Sequence, residues 1–446
     1  MGELLDRAVQ TLGPADAGED IEVYFGRGRD TEIIVRGGEV ASLSFAVSEG
    51  VGIRVVRDKR VGFAYETSLD DDAVSRALAG ARANALFGTQ DPESGLPEPD
   101  DRSLDLGLWR ADLAAFPIDS KVDMAVGLER RALSTDRRIA SVKSSRFGDS
   151  TGEIAIATTS GIATTHRRSR CYVSVYVVAD DGRNVQTGGG WSVGRSPGDL
   201  DIDLAVTAAV ERATTQLGAR KPRSQELAAV FDPRVTAAVL AVLGSTLSAE
   251  AALRGRSLFS EQLGEVVAPP IFTVTDDPTD RDAYGAAPHD GEGVTCRRAL
   301  LIEDGVLRGL LHDSYTARRM GVSSTASAVR AGFKGTPGVG CRALRLRPGQ
   351  QSQSAIIAGV GDGVFIRSVT GFHSGVDRVS GGFSVGAEGR MIRSGELAEP
   401  VCEFTIASNL PGMLRQVTAI GSETEWLPGV AAGTTIALAG MAMSGI

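Results

Sequence analysis

Apolar and polar residues alternate along much of this chain, and the period-2 pattern outlines more strands than helices. The first element is an exception. Leu4, Leu5, Ala8, Val9 and Leu12 fall at helical spacing and predict a short amphipathic helix. Five β segments follow, at 21–25, 32–36, 40–47, 51–56 and 61–65. Gly37-Gly38 turns the chain between the second and third, and Asp58-Lys59-Arg60 between the last two. Ser68, with Asp71 three residues on, predicts a helix cap, and Val74, Ala77, Leu78 and Ala81 share the face that follows. Ser120 and Asp123 predict a second cap, with Val122, Val126 and Leu133 roughly on one side. Strands dominate from 139 to 193, with a hairpin at Asp181-Gly182. A helix over 200–217 should end at Gly218. The charged segment 219–224 reads as a domain boundary.

The second half opens with a strand at 227–231. Residues 235–253, rich in Ala and Leu, form the longest helix candidate. Strands are expected at 269–274, 299–303 and 305–311. The glycine-punctuated stretch 363–401 then reads as strand, polar loop, strand, tight turn, strand. Phe383, Val385 and Ala387 alternate with Ser384, Gly386, Glu388 and Arg390. Ser394-Gly395 makes the turn, and the returning strand sets Cys402, Phe404 and Ile406 against Glu403 and Thr405. The pattern predicts an α+β protein: an N-terminal α/β domain over 1–218, with a mostly antiparallel sheet and helices, and a β-rich C-terminal domain over 225–446.

Composition narrows the function. A chain of 446 residues is too long for one typical core. Its 55 glycines, about 12%, and 5% aromatics suit turns and strands rather than a helical bundle. A net charge of −9 argues against nucleic acid or an anionic membrane as the main partner. The opening MGELLDRAVQ shows no apolar signal-peptide core. The apolar tail 430–446 is broken by glycines and threonines and reads as buried strand. Cys171, Cys296, Cys341 and Cys402 are scattered, which favours four unpaired, half-buried thiols in a reducing cytoplasm.

Candidate chemistry is sparse. Four histidines, His166, His289, His312 and His373, fit no local metal motif. Gly382-Phe383-Ser384-Val385-Gly386 matches a nucleophile elbow, but a strand rather than a helix is expected after Ser384, and no histidine follows His373. Gly359–Gly363 hints at a phosphate cradle, yet no helix is expected after it. Arg318, Arg319, Arg330 and Lys334 form a basic run best read as a solvated helix face and loop. The loop 370–382 remains, with His373, Ser374, Asp377 and Arg378 as candidate residues for holding a substrate or partner. A hydrogen-bonded structural loop explains it equally well.

Three segments carry a family resemblance: GFHSGVDRVSGGFSVGAEGRMIRSGELAEPV (371–401), DGEGVTCRRALLIEDGVLRGLLHDSYTARRMG (290–321) and RGRSLFSEQLGEVV (254–267). They resemble the TldD/PmbA family, in its PmbA (TldE) branch, and the likeness spans nearly the whole chain. In the TldD branch a His-Glu-x-x-x-His motif on the helix equivalent to 235–255, with a cysteine near the C-terminus, holds zinc. Here that helix has no histidine and a single acid, Glu250, and 420–446 has no cysteine. The resemblance therefore implies no catalytic or metal-binding residue and no cofactor in this chain, with zinc in a TldD-type partner subunit. It implies a cytoplasmic heteromeric peptidase in which this chain helps enclose an extended or unfolded peptide. A non-catalytic modulator or peptide-binding homodimer is the alternative, and a separate enzyme using His373, Asp377 or Ser384 is a third. SSTASAVR (323–330) departs from the family by lacking the Asn of an expected Thr-Gly-Asn-like turn.

Overall fold

A computed structural model describes residues 2–13, 18–100 and 102–446. They form two compact units. The first comprises Met1–Thr214, Ala287–Cys296 and Asp313–Gly338, and the second Thr215–Ala286, Arg297–His312 and Val339–Ile446.

In the first unit α1 (Glu3–Leu12) leads into β1 (Glu19–Arg36), β2 (Glu39–Arg57) and β3 (Arg60–Glu66). The five expected β segments are thus three strands, two of them 18 and 19 residues long. The polar stretches 26–31 and 48–50 do not turn, because β1 pairs through them with β2 on one side and β4 (Ile139–Thr158) on the other. Gly37 and Gly38 take φ of 64° and 79° at the β1–β2 turn, a conformation open to glycine. The Glu129 carboxylate accepts both their N–H groups at 2.8 Å and pins the turn.

Helix α2 (Asp71–Phe87) is capped by Asp70, whose carboxylate accepts from Ala73 N, rather than by Ser68. Ser68 donates to Asp70 instead. After α3 (Ala111–Ala114), helix α4 (Ile118–Thr135) has Pro117 at its N-cap, so Ser120 and Asp123 lie inside it rather than capping it. Its buried face is Lys121, Ala125, Leu128, Glu129 and Ala132, and Leu133 is exposed. β5 (Ala163–Asp180), β6 (Val185–Gly194) and α5 (Ile202–Thr214) follow, and the sheet runs β3-β2-β1-β4-β5-β6, antiparallel throughout. α5 lies so close on β6 that a Cβ on Gly190 would stand 1.8 Å from the Ala205 carbonyl. Leu4, Ile21, Val23, Phe25, Ile53, Ala77 and Ala81 form the main core.

In the second unit β7 (Gln225–Phe231) is followed by α6 (Pro233–Thr246) and the separate α7 (Ala249–Leu253). The single long helix expected over 235–253 is broken at Leu247-Ser248. There Leu311 donates to the Leu247 carbonyl and accepts from Ala249 N, drawing the chain out of helical geometry. The strands expected at 269–274 and 305–311 shrink to Val274–Asp276 and Val306–Leu307. A six-stranded sheet runs Glu396–Asn409, Gly382–Arg393, Gly363–Thr370, β7, Ile436–Ser444, Val417–Ile420, and pairing of Thr405–Ala407 with Ala442–Ser444 closes five of its strands into a ring. The tail is strand, as its apolar pattern suggests. No helix among the described residues is long and apolar enough to cross a membrane. Glu403, at φ 54°, forms a bulge that puts Val401 and Phe404 inside and leaves Cys402 half-buried.

Candidate functional site

The helix that should carry a metal in a metallopeptidase relative is packed as core. On α6, Val235, Leu240 and Leu243 are buried, and Gly244 meets Leu344 and Cys341 so closely that a Cβ there would lie 2.3 Å from a Leu344 methyl. Glu250 on α7 pairs with Arg254 at 2.7 Å on the surface. No three His, Cys, Asp or Glu side chains among the described residues converge as a metal would require. The donor set present does not fit zinc. His166 and His289 face each other with ring centres 6.2 Å apart, while His312 is buried and His373 exposed elsewhere in the chain. Burial holds His289 below the ordinary imidazole range, against the pull of Asp100.

The candidate loop 370–382 holds a short helix, Phe372–Gly375, with Phe372 edge-on to Phe383 at 5.8 Å. His373, Ser374, Asp377 and Arg378 are all exposed. Asp377 accepts from Val379 N at 2.8 Å and from the Ser380 hydroxyl at 2.7 Å, bonds that lower its pKa. Its own N–H donates to the Gly382 carbonyl. Asp377 therefore organises the loop, while His373 and Arg378 stand at solvent-exposed positions open to another molecule. Ser384 sits on a strand followed by a hairpin, not at an elbow. Gly359–Gly363 ends a helix and opens the strand Gly363–Thr370, so it presents no helix N-terminus to a phosphate.

Arg319 and Lys334 of the basic run are exposed, as a solvated face would have them, but Arg318 and Arg330 are not. Arg318 donates to the carbonyls of Glu93, Gly95 and Leu96, and Tyr315 donates to Asp91. Together with Thr295 donating to Asp100, these bonds strap down the acidic, proline-containing stretch 91–100. Residue 101 lies outside the described residues. The Arg330 side chain is only 2% exposed and bonds Glu22, while Arg54 bonds Glu22 at 2.6 Å and Glu292 at 3.5 Å. Ser314 donates to Glu292 through its N–H at 2.9 Å and its hydroxyl at 2.6 Å. Arg330 also stacks 4.8 Å from the centre of the Tyr24 ring. Burial alone would raise the Glu22 carboxyl, but the charges and hydrogen bonds of Arg330 and Arg54 hold it below its usual range. Glu292 is raised, chiefly by burial. Asp290 accepts from the N–H groups of Glu292, Val294 and Ala328 and so braces this cluster, which explains the DGEGV run in structural terms.

Asp276, buried in the second unit, accepts from Ala343 N at 2.6 Å and Arg342 N at 3.0 Å, yet burial pushes its carboxyl up to about 6. A carboxyl raised in the folded state favours the protein fully at low pH, and that contribution is lost as pH rises from about 4 to 6. Asp276→Asn keeps an accepting oxygen without the charge. It should stabilise the protein by about 1–3 kcal/mol at pH 7 and by almost nothing at pH 3.5, read from urea midpoints at the two values.

A groove in the first unit has no sequence signature. Two adjoining hollows of about 430 and 360 Å³ share Arg29, Ala114 and Thr151 on one face of the sheet. Arg27 bonds Glu153 at its rim, and the Arg167 guanidinium lies 3.7 Å over the Trp109 ring. The residues come from β1, β2, β4, β5, the segment 109–116 and the start of α4, so cross-strand register and the packing of α4 bring them together.

Comparison with known proteins covers nearly the whole chain. Three family models match: PmbA/TldA metallopeptidase domain 1 at residues 21–85, the central domain at 111–217 and the C-terminal domain at 224–445. The chain is 26% identical over 440 residues to Metalloprotease PmbA of Escherichia coli O157:H7, covering 97% of this chain and 95% of that protein. It is 26% identical over 421 residues to a Metalloprotease TldD homolog of Haemophilus influenzae, covering 91% and 86%. The crystal structure of TldE from Thermococcus kodakarensis superposes with a TM-score of 0.89 at 24% identity, over 96% of this chain and 97% of that one.

Proposed function

This chain belongs to the PmbA/TldD metallopeptidase family, and from that premise we propose that it is the metal-free, PmbA/TldE-like subunit of a heteromeric zinc peptidase. The observation that carries this reading is the state of α6 and α7. A complete family fold surrounds a helix with no histidine and a lone, surface-paired Glu250. Catalytic zinc needs three protein ligands and an orienting shell around them. A TldD-type subunit would supply both, and this chain would help enclose an extended peptide, with the exposed loop at His373, Ser374, Asp377 and Arg378 facing substrate or partner. Four free cysteines suit a cytoplasmic setting.

The direct test is metal content. Purified alone and dialysed against micromolar zinc, the chain should retain less than roughly a tenth of an equivalent, whereas its complex with a TldD-type subunit should retain about one. A full equivalent on the isolated chain, measured by atomic emission, would overturn the reading.

A further inference from the structure

The groove beside Trp109 carries charges that the fold does not use. Its larger hollow is lined by the charged side chains of Arg27, Arg29, Glu49, Glu153 and Arg167. Arg27 and Glu153 neutralise each other through bonds of 2.8 and 3.0 Å. Arg29, Arg167 and Glu49 make no hydrogen bond or ion pair with any described residue. The Arg167 guanidinium lies 3.7 Å over the Trp109 ring. Stacking occupies the face of a guanidinium and leaves its in-plane N–H donors free, in the fork that matches a carboxylate. The smaller hollow differs. At its floor Lys121 and Asp149 are buried and pair at 2.5 Å, and Leu113, Phe116 and Phe45 make its walls apolar.

We infer that this groove binds a zwitterionic dipeptide that ends in a large apolar residue. Arg29 and Arg167 take its terminal carboxylate, Glu49 takes its terminal ammonium, and the C-terminal side chain enters the smaller hollow. Each unused charge of the groove is then answered by an opposite one. The spacing agrees. Arg29 stands opposite Val47 in the β1–β2 ladder, so Glu49 is its diagonal neighbour, at about 7–8 Å. Two residues of extended chain span about 7 Å, whereas a single amino acid spans about half of that. The two hollows meet at Arg29, which sets the side chain of the carboxylate-bearing residue beside the apolar walls. Lys121 and Asp149 cancel at the floor, so that hollow favours an uncharged side chain. An inorganic anion satisfies the arginines alone and meets Glu49 as a like charge. Such a dipeptide has the chemistry of a proteolysis product. The inference goes beyond the subunit role proposed above, since this binding requires neither zinc nor a partner subunit.

Isothermal titration of the isolated chain with alanyl-phenylalanine tests it. One equivalent should bind with a dissociation constant on the order of 0.1 mM. Arg29→Gln should weaken binding at least about 10-fold, and so should amidation of the peptide's carboxylate. Glu49→Gln should weaken it about 5-fold, yet leave binding of N-acetyl-alanyl-phenylalanine, which has no ammonium, unchanged. Arg29 and Glu49 are exposed, so both variants should keep the wild-type melting point. Arg183→Gln, on the hairpin between β5 and β6, should bind like the wild type. No binding up to about 10 mM peptide overturns the proposal. So does binding that neither Arg29→Gln nor Glu49→Gln changes, or that survives acetylation and amidation alike. Displacement of the peptide by inorganic phosphate at equal affinity would mark a site for an adventitious ion only, and also overturns it. None of these outcomes depends on metal content, so a failure here is distinguishable from a failure of the subunit reading.

Discussion

Arg330→Met is expected to lower the opening free energy of β1 by about 3–5 kcal/mol, the cost of stranding a buried charge. Glu22 is fully buried and lies between two guanidinium groups, those of Arg330 and Arg54. Arg54 is shared with Glu292, also buried, so two arginines face two glutamates. Methionine fills much of the arginine volume and keeps contact with Tyr24, so the loss reports charge more than packing. Glu22 then competes with Glu292 for Arg54 alone. Because the folded Glu22 carboxyl is held below its ordinary 4.5, the stability it confers is present above that pH and lost as pH falls through the lowered value. Arg330→Met should flatten that acid limb. Hydrogen exchange of the β1 and β2 amides from about pH 2.5 to 8 measures both effects. A loss under about 1 kcal/mol would show that the network is not a structural tie.

Arg330 also shows what was hidden in the sequence. It lies in a local run with Arg318, Arg319 and Lys334, and the ordinary reading of such a run is a solvated surface. Glu22 is 308 residues away. Nothing local says that the segments 287–296 and 313–338 return to the first unit, so the partners of Arg318 and Arg330 cannot be read from their neighbours. The same distance effect broke the 235–253 helix, since Leu311 comes from far along the chain. Patterns that depend on adjacent strands were legible. The stretch 363–401 folds as its alternation indicates, and Ser394 and Gly395 take φ of 52° and 81° in the expected tight turn. β2 misleads in the other direction. Leu43, Phe45 and Val47 alternate like a half-buried strand, and the structure leaves them exposed.

The candidate site was legible mainly as a gap. The missing histidines of 235–255 are visible in sequence, and the structure adds that α6 is packed as apolar core. In the loop 370–382, Asp377 holds Val379 and Ser380, and His373 and Arg378 are exposed. The groove beside Arg29 and Trp109 was not legible, because it depends on register across four strands.

The largest effect expected is in catalysis. In the proposed complex, zinc on the TldD-type subunit would activate the attacking water, a contribution worth many orders of magnitude over the uncatalysed reaction. The most direct measurement of the account's central claim is zinc-dependent cleavage of an extended peptide by this chain alone, by a TldD-type subunit alone, and by the two together. The account predicts cleavage that requires the mixture, is abolished by chelation and is restored by zinc. Zinc-dependent cleavage by this chain alone would contradict it, and would mean that residues far apart in the chain build a metal site away from α6.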